Sequence, residues 1–158
     1  MERRFYGTLR RERVFMLLRA IEEVEQAGAV KSEAFTVDWA KLQIEHIMPQ
    51  SWRQFWDLPD NVSAESRDGA VANIGNLTLV GEKLNPSLSN APWLPTEKSK
   101  LHKRSELQKH SKLECNRPLV EETAWDEVRI KARAERLLGI ARQIWPSAHS
   151  LSAQSAGQ

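Results

Sequence analysis

Leu42-Gln43-Ile44-Glu45-His46-Ile47-Met48-Pro49-Gln50 sets an acid and a histidine side by side at the end of a short apolar run. Adjacent residues of a strand point to opposite faces, so Glu45 and His46 cannot both belong to an apolar core. Pro49 ends the run, and the pattern predicts a short strand over 42–48. A second apolar run, Ile74-Gly75-Asn76-Leu77-Thr78-Leu79-Val80, predicts a strand over 74–80 ended by Gly81. Asn85 follows Asn76 by nine residues and precedes Pro86. That dipeptide suits a helix start, with Asn85 as cap and Pro86 at the first helical position. The two runs and the helix start predict an α+β fold.

Strand, loop, strand, helix, with His on the first strand and Asn at the helix start, is the layout of a ββα-metal finger. Its chemistry follows from the residue types. A phosphodiester is anionic and resists attack by hydroxide, and a hard divalent cation lowers that barrier. Mg²⁺ takes few protein ligands, all oxygen, and keeps most of its waters. The Glu45 carboxylate and the Asn85 amide oxygen fit that preference. A neutral His46 can take the proton from an attacking water.

The rest of the chain frames this unit. Val14, Leu17, Leu18, Ile21 and Val24 recur at helical spacing and predict a helix over about 9–27, stopped at Gly28. Phe35, Val37 and Trp39 alternate, which allows a strand or an extended lead-in. Residues 50–73 read as a long excursion, with one helical turn pinned by Trp52, Phe55 and Trp56. Turn clusters stand at Asp57–Asn61 and at Arg67-Asp68-Gly69. Thr96 opens a polar helix over about 97–110. Thr123 caps a last helix whose apolar stripe runs through Trp125, Val128, Leu137, Leu138, Ala141, Ile144 and Trp145. The tail 147–158 is low in complexity and reads as disordered.

Composition excludes several classes. Of 158 residues, 41% are hydrophobic and 28% charged, ordinary proportions for a globular domain. No apolar run approaches the roughly 20 residues that cross a bilayer, and residues 1–13 are arginine-rich without an apolar signal segment. Cytoplasmic residence is the expectation. A single cysteine, Cys115, rules out an intrachain disulfide framework and a Cys-rich zinc site. A net charge of +2 does not by itself argue for nucleic acid.

Taken together, Glu45-His46-Ile47-Met48-Pro49-Gln50, Ile74-Gly75-Asn76-Leu77-Thr78-Leu79, and Leu84-Asn85 through Ser89-Asn90-Ala91-Pro92-Trp93 with Lys98 resemble the C-terminal nuclease domain of GmrSD-type (DUF262-associated) restriction endonucleases. Trp125 and the closing Ile144-Trp145-Pro146 extend the likeness. That family is an HNH, or His-Me finger, family. The first block and the Asn76-to-Asn85 interval also resemble the HNH domain of CRISPR effector nucleases. The resemblance implies a catalytic pair: His46 as general base, and Asn76 as the middle asparagine that ties the hairpin loop. It implies Glu45 and Asn85 as ligands of one Mg²⁺ (or Mn²⁺), with Asn90 as the competitor for the second ligand position. It implies DNA as substrate, in restriction of foreign or modified DNA. It also implies an N-terminal or separate nucleotide-hydrolysing, target-recognising domain, since no GxxxxGK[ST] loop occurs here. Without the cysteine pairs of zinc-stapled HNH members, flanking helices must hold the finger.

Residues 1–146 are therefore read as one nuclease domain: a helical lead-in (1–41), the ββα core (about 42–95) and helical support (96–146). Against these readings stand plainer ones. A lone histidine on a strand is usually structural, and an asparagine before proline is often only a cap. The cluster Lys98, Lys100, Lys103 and its basic neighbours reads either as a solvated helix face or as a DNA-backbone contact. Arg129, Lys131, Arg133, Arg136 and Arg142 read as a solvated face, and His102, His110 and His149 as surface residues. A non-catalytic nucleic-acid-binding or assembly module, or an RNA-directed nuclease on the same finger, are the alternatives.

Overall fold

The computed structural model describes residues 11–29, 36–82, 84 and 88–146. Helix α1 (Arg11–Gly28) is followed by a 3₁₀ turn (Trp39–Lys41) and strand β1 (Leu42–His46). Two short helices, α2 (Trp52–Phe55) and α3 (Ala64–Val71), lead to a 3₁₀ turn (Ile74–Asn76) and strand β2 (Leu77–Gly81). Then come α4 (Lys103–His110), a 3₁₀ turn (Glu114–Asn116), α5 (Arg117–Glu121) and α6 (Glu127–Ile144). The fold is α+β: six helices and a two-stranded sheet among the described residues, compatible with a small ββα finger. The tail 147–158, Phe35 and the helix start at Asn85-Pro86 lie outside the described residues. Leu88, just beyond, is helical and its amide donates to the Leu84 carbonyl at 3.1 Å.

The strands pair antiparallel, from Leu42 opposite Gly81 to His46 opposite Leu77. A two-stranded hairpin is marginal alone, and here both faces are covered. Ile44, Leu77 and Leu79 pack with Val14, Leu18 and Ile21 of α1 and with Ala134 and Leu137 of α6. Val80 belongs to a second cluster with Ile47, Met48, Trp52, Leu107, Trp93 and Trp125. The strand alternation thus feeds two cores rather than a core and solvent.

Buried polar groups join the helices to the hairpin. Glu22 of α1 is wholly buried and accepts from the Glu114 and Cys115 amides, both at 2.8 Å. Its carboxylate caps the Glu114–Asn116 turn, the same task a helix N-cap performs. Asn116 in turn donates to the Leu79 carbonyl at 3.2 Å and pairs with the Thr78 hydroxyl. Arg133 of α6 is not on a solvated face. It is buried, and its guanidinium donates to the Gly75 and Leu77 carbonyls at 2.8 and 2.7 Å.

Several local expectations shift. Arg67-Asp68-Gly69 is not a turn but the middle of α3, capped by the Ser63 hydroxyl accepting from Ser66 N at 3.1 Å. Ala70 and Val71 bury on one side of it, and Arg67 reaches inward to Glu127 and to the Asp57 carbonyl. Tertiary burial outweighs the helix cost of Gly69. Thr96 closes a tight turn with Ser99 instead of opening a helix, and α4 starts at Lys103, capped by half-buried His102. Asp126, not Thr123, caps α6. Its inward stripe is Ile130, Arg133, Ala134 and Leu137, whereas Val128 is 74% and Trp145 54% exposed.

Gly75 marks a tight contact with α6. A Cβ built there would lie 1.9 Å from the Ile130 carbonyl oxygen and 2.8 Å from the Ala134 amide nitrogen of α6. Neither backbone atom can swing aside, so α6 itself would have to move. Overpacking a rigid site costs typically 1–3 kcal/mol and sometimes more. Gly75→Ala should therefore lower stability by about 3 kcal/mol, read from urea denaturation midpoints. A variant within 0.5 kcal/mol, the usual range for a harmless surface change, would show the contact to be loose.

Candidate functional site

The ladder does not stop at the last strand pair. Ile47 N donates to the Asn76 carbonyl at 2.9 Å. The Asn76 side chain then supplies one further rung: its Oδ1 accepts from Met48 N and its Nδ2 donates to Met48 O, both at 2.8 Å. The same amide donates to Val71 O at 3.1 Å and accepts from the Trp125 indole at 3.0 Å. Asn76 is fully buried, with both ends of its amide engaged inside the protein. Its place is structural: it fixes the chain just after His46.

Glu45 and His46 stand at that fixed end. Glu45 is buried, 8% exposed as a residue, and its Oε1 accepts from Lys103 Nζ at 3.1 Å. The same ammonium donates to the His46 carbonyl at 2.7 Å and to the Ser89 carbonyl at 3.1 Å. Burial pushes the Glu45 carboxyl up, against the pull of Lys103, and pushes the Lys103 ammonium down, against the pull of Glu45. His46 is pushed down to about 4, by burial first and then by the positive charges of Lys103 and Arg11. Its imidazole is therefore neutral at neutral pH and able to accept a proton.

This hairpin carries the sequence blocks singled out above, and a family comparison fits them. The family model for the C-terminal domain of GmrSD restriction endonucleases matches residues 1–140. The chain belongs to that family. Membership makes it a restriction-endonuclease domain and implies a DNA substrate and an N-terminal partner domain. No curated protein and no solved structure matches the chain. No helix among the described residues is long and apolar enough to cross a membrane.

In this GmrSD-family domain the expected site residues separate into distinct environments. Glu45, His46 and Asn76 come together at the end of the hairpin, and Asn85 lies outside the described residues. The Asn90 amide oxygen accepts from the Ser51 hydroxyl at 2.8 Å, which ties the turn after β1 to the turn before Trp93. Lys98 and Lys100 are exposed. Lys103 is not a solvated side chain offering a phosphate contact. It is 1% exposed and spends its ammonium on protein oxygens. The sequence carried a signal for this, since Lys103 lies four residues before Leu107, the buried residue of α4, and so shares its face. Arg11 was missed as well. It is exposed at the start of α1, yet its charge is felt at both Glu45 and His46.

Glu45 is, by chemistry, an appropriate ligand for a hard cation: a carboxylate oxygen in a largely protein-walled site. A second acidic cluster, Glu22, Glu25 and Cys115, brings its ligand atoms within 4.8 Å of one another. Its groups are otherwise used. Glu22 caps backbone amides, Glu25 pairs with Arg136, and burial pushes the Cys115 thiol up so that it stays protonated. A cavity of about 690 Å³ lies at the other end of the hairpin, lined by Val37, Leu42, Leu79 and Leu84, away from His46.

The His46 environment fixes a pH window. An unfolded imidazole takes its proton near 6.5, the folded one near 4. The folded state resists the proton, so this contribution to stability is full above about 6.5 and is lost as pH falls toward 4. The difference is on the order of 3 kcal/mol. In EDTA, wild type should lose roughly 2–3 kcal/mol more than His46→Ala between pH 7.5 and pH 4.5, measured by urea unfolding. Parallel stability curves for the two proteins would place the imidazole in solvent.

Proposed function

We propose that this domain is a metal-dependent DNA endonuclease of the HNH type, acting in the cytoplasm on foreign or modified DNA. His46 is the general base. Glu45 and Asn85 hold a single Mg²⁺ or Mn²⁺. The observation that carries this reading is a half-buried, neutral imidazole one residue beyond a buried carboxylate, at a strand end in a restriction-endonuclease family domain.

The residues divide the work. His46 takes the proton of the attacking water, which requires the neutral form that burial, Lys103 and Arg11 favour. Asn76 holds Ile47 and Met48 so that His46 keeps its place, and performs no proton transfer. When bound, the cation supplies charge neutralisation at the scissile phosphate. Exposed Lys98 and Lys100, with exposed Arg11, offer positive charge to the DNA backbone.

Supercoiled plasmid incubated with the purified protein should be nicked or linearised in Mg²⁺ or Mn²⁺ and left intact in EDTA. His46→Ala should fold, bind the plasmid and lose roughly 10²–10⁴-fold in rate, the usual contribution of a general base. Wild-type cleavage by the folded variant would remove His46 from the chemistry. Cleavage of RNA but not of DNA would move the substrate to RNA on the same site.

Backbone binding makes a separate prediction. Lys98→Ala/Lys100→Ala should weaken affinity for all sequences alike, flattening the slope of log affinity against log salt by about one unit per lost phosphate contact. Turnover at saturating DNA should persist. An unchanged slope would return both lysines to ordinary solvated surface.

A further inference from the structure

Lys103 is the buried lysine among the described residues, and its surroundings go beyond an ion pair. An ammonium has three protons to donate. Here three protein oxygens receive them: Glu45 Oε1 at 3.1 Å, His46 O at 2.7 Å and Ser89 O at 3.1 Å. Nothing is left over for a phosphate or a leaving group. The three acceptors come from two separate segments, the last residues of β1 and the turn after β2, while Lys103 itself begins α4. Its backbone amide also donates to the Pro92 carbonyl at 2.8 Å, so both ends of the residue grip the 89–92 segment.

Stability alone does not account for an ammonium in this place. An apolar side chain of similar volume generally holds a core as well as a buried ion pair does. What an apolar chain cannot do is give direction to a carboxylate and to a carbonyl at once. Holding the long lysine stem still also costs side-chain entropy, more than a branched apolar residue such as leucine would lose.

We propose that Lys103 is a positioning residue of the nuclease site. Its ammonium orients the Glu45 carboxylate and clamps the His46 backbone to the Ser89 turn, so the two site residues of β1 keep one fixed geometry. This rests on the function proposed above. It assigns Lys103 no contact with DNA and no proton transfer.

The test compares wild type, Lys103→Met, Lys103→Arg and Lys98→Ala/Lys100→Ala, all at a temperature where each is folded by circular dichroism. Plasmid cleavage gives kcat. DNA affinity is measured in EDTA, each change being placed on the His46→Ala background. Lys103→Met, nearly equal in volume, should lower kcat at least about 30-fold while DNA affinity stays within about twofold. Lys103→Arg, which keeps the charge and the donors, should fall between Met and wild type. The Lys98/Lys100 variant should weaken DNA affinity, the readout that Lys103→Met leaves within about twofold.

A core-filling role would reverse the order, with Met near wild type and the bulkier Arg worse, and that result overturns the proposal. Weakened DNA affinity in Lys103→Met overturns it too, by making Lys103 a DNA contact. Should Lys103→Met fail to fold, Lys103→Arg decides. A folded Arg variant should bind DNA normally and turn over at least about fivefold slower, and wild-type turnover in it overturns the assignment. The two layers remain separable. A wild-type protein that leaves plasmid intact refutes the nuclease reading itself, whereas a cleaving wild type with an equally active Lys103→Met refutes only the role of Lys103.

Discussion

The structure depends on one side chain completing what the strands leave unfinished. β1 and β2 pair over only five residues each, too few to hold the chain that follows His46. The Asn76 amide presents a donor and an acceptor to Met48, as a strand backbone would, and so lengthens the ladder without lengthening the strand. Because that amide also takes the Trp125 indole and donates to Val71, the rung is anchored from three directions. Each buried partner left unpaired would cost roughly 1–3 kcal/mol, so the four bonds act together rather than as a reserve of independent contacts. The residue before the rung is His46's neighbour, Ile47, which makes the stiffness of the site a direct consequence of the amide.

The same economy recurs wherever a helix meets the hairpin. Glu22, Arg133, Asn116 and Lys103 are all buried, and each sends its polar atoms to backbone groups of another element. With two strands among the described residues and no cysteine in the finger, hydrogen bonds from side chains to backbone take the place of staples. Apolar packing still supplies most of the attraction, through two clusters on opposite faces of the sheet. The polar ties specify which helix sits where. Gly75 permits one of these approaches, since α6 lies against its bare backbone.

The sequence carried the hairpin and the long helices plainly, because alternation and helical spacing are local signals. β1 falls inside the expected 42–48, and α1 covers the described part of the expected 9–27 and ends one residue beyond it, at Gly28. β2 starts later than expected, since Ile74–Asn76 coil into a 3₁₀ turn that aims the Asn76 side chain inward. Several of the losses share one cause: burial decided by a distant partner. Ala64–Val71 contains a glycine and few large apolar residues, and becomes a helix because Arg67 is drawn to Glu127, sixty residues away. Arg133 looked like surface until the carbonyls of Gly75 and Leu77 are seen above it. At the site, Glu45 and His46 were legible as an unusual pair on a strand, and Lys103 by its helical spacing as an inward side chain, but the pairing across fifty-eight residues was not.

Charge shows why a total can mislead. A net +2 predicts little about nucleic acid, and even the local basic run is not uniform. Lys98 and Lys100 precede α4 and remain in solvent, where their charge is available to a polyanion and is screened by salt. Lys103 is the first residue of α4 and shares the inward face with Leu107, so an identical side chain is turned into the protein. There its charge is hardly screened: it holds one carboxylate at 3.1 Å and its field lowers the proton affinity of one imidazole. Three residues of chain, from exposed Lys100 before α4 to Lys103 on the inward face of its first turn, separate a lysine that can attract a substrate from one that can shape the site.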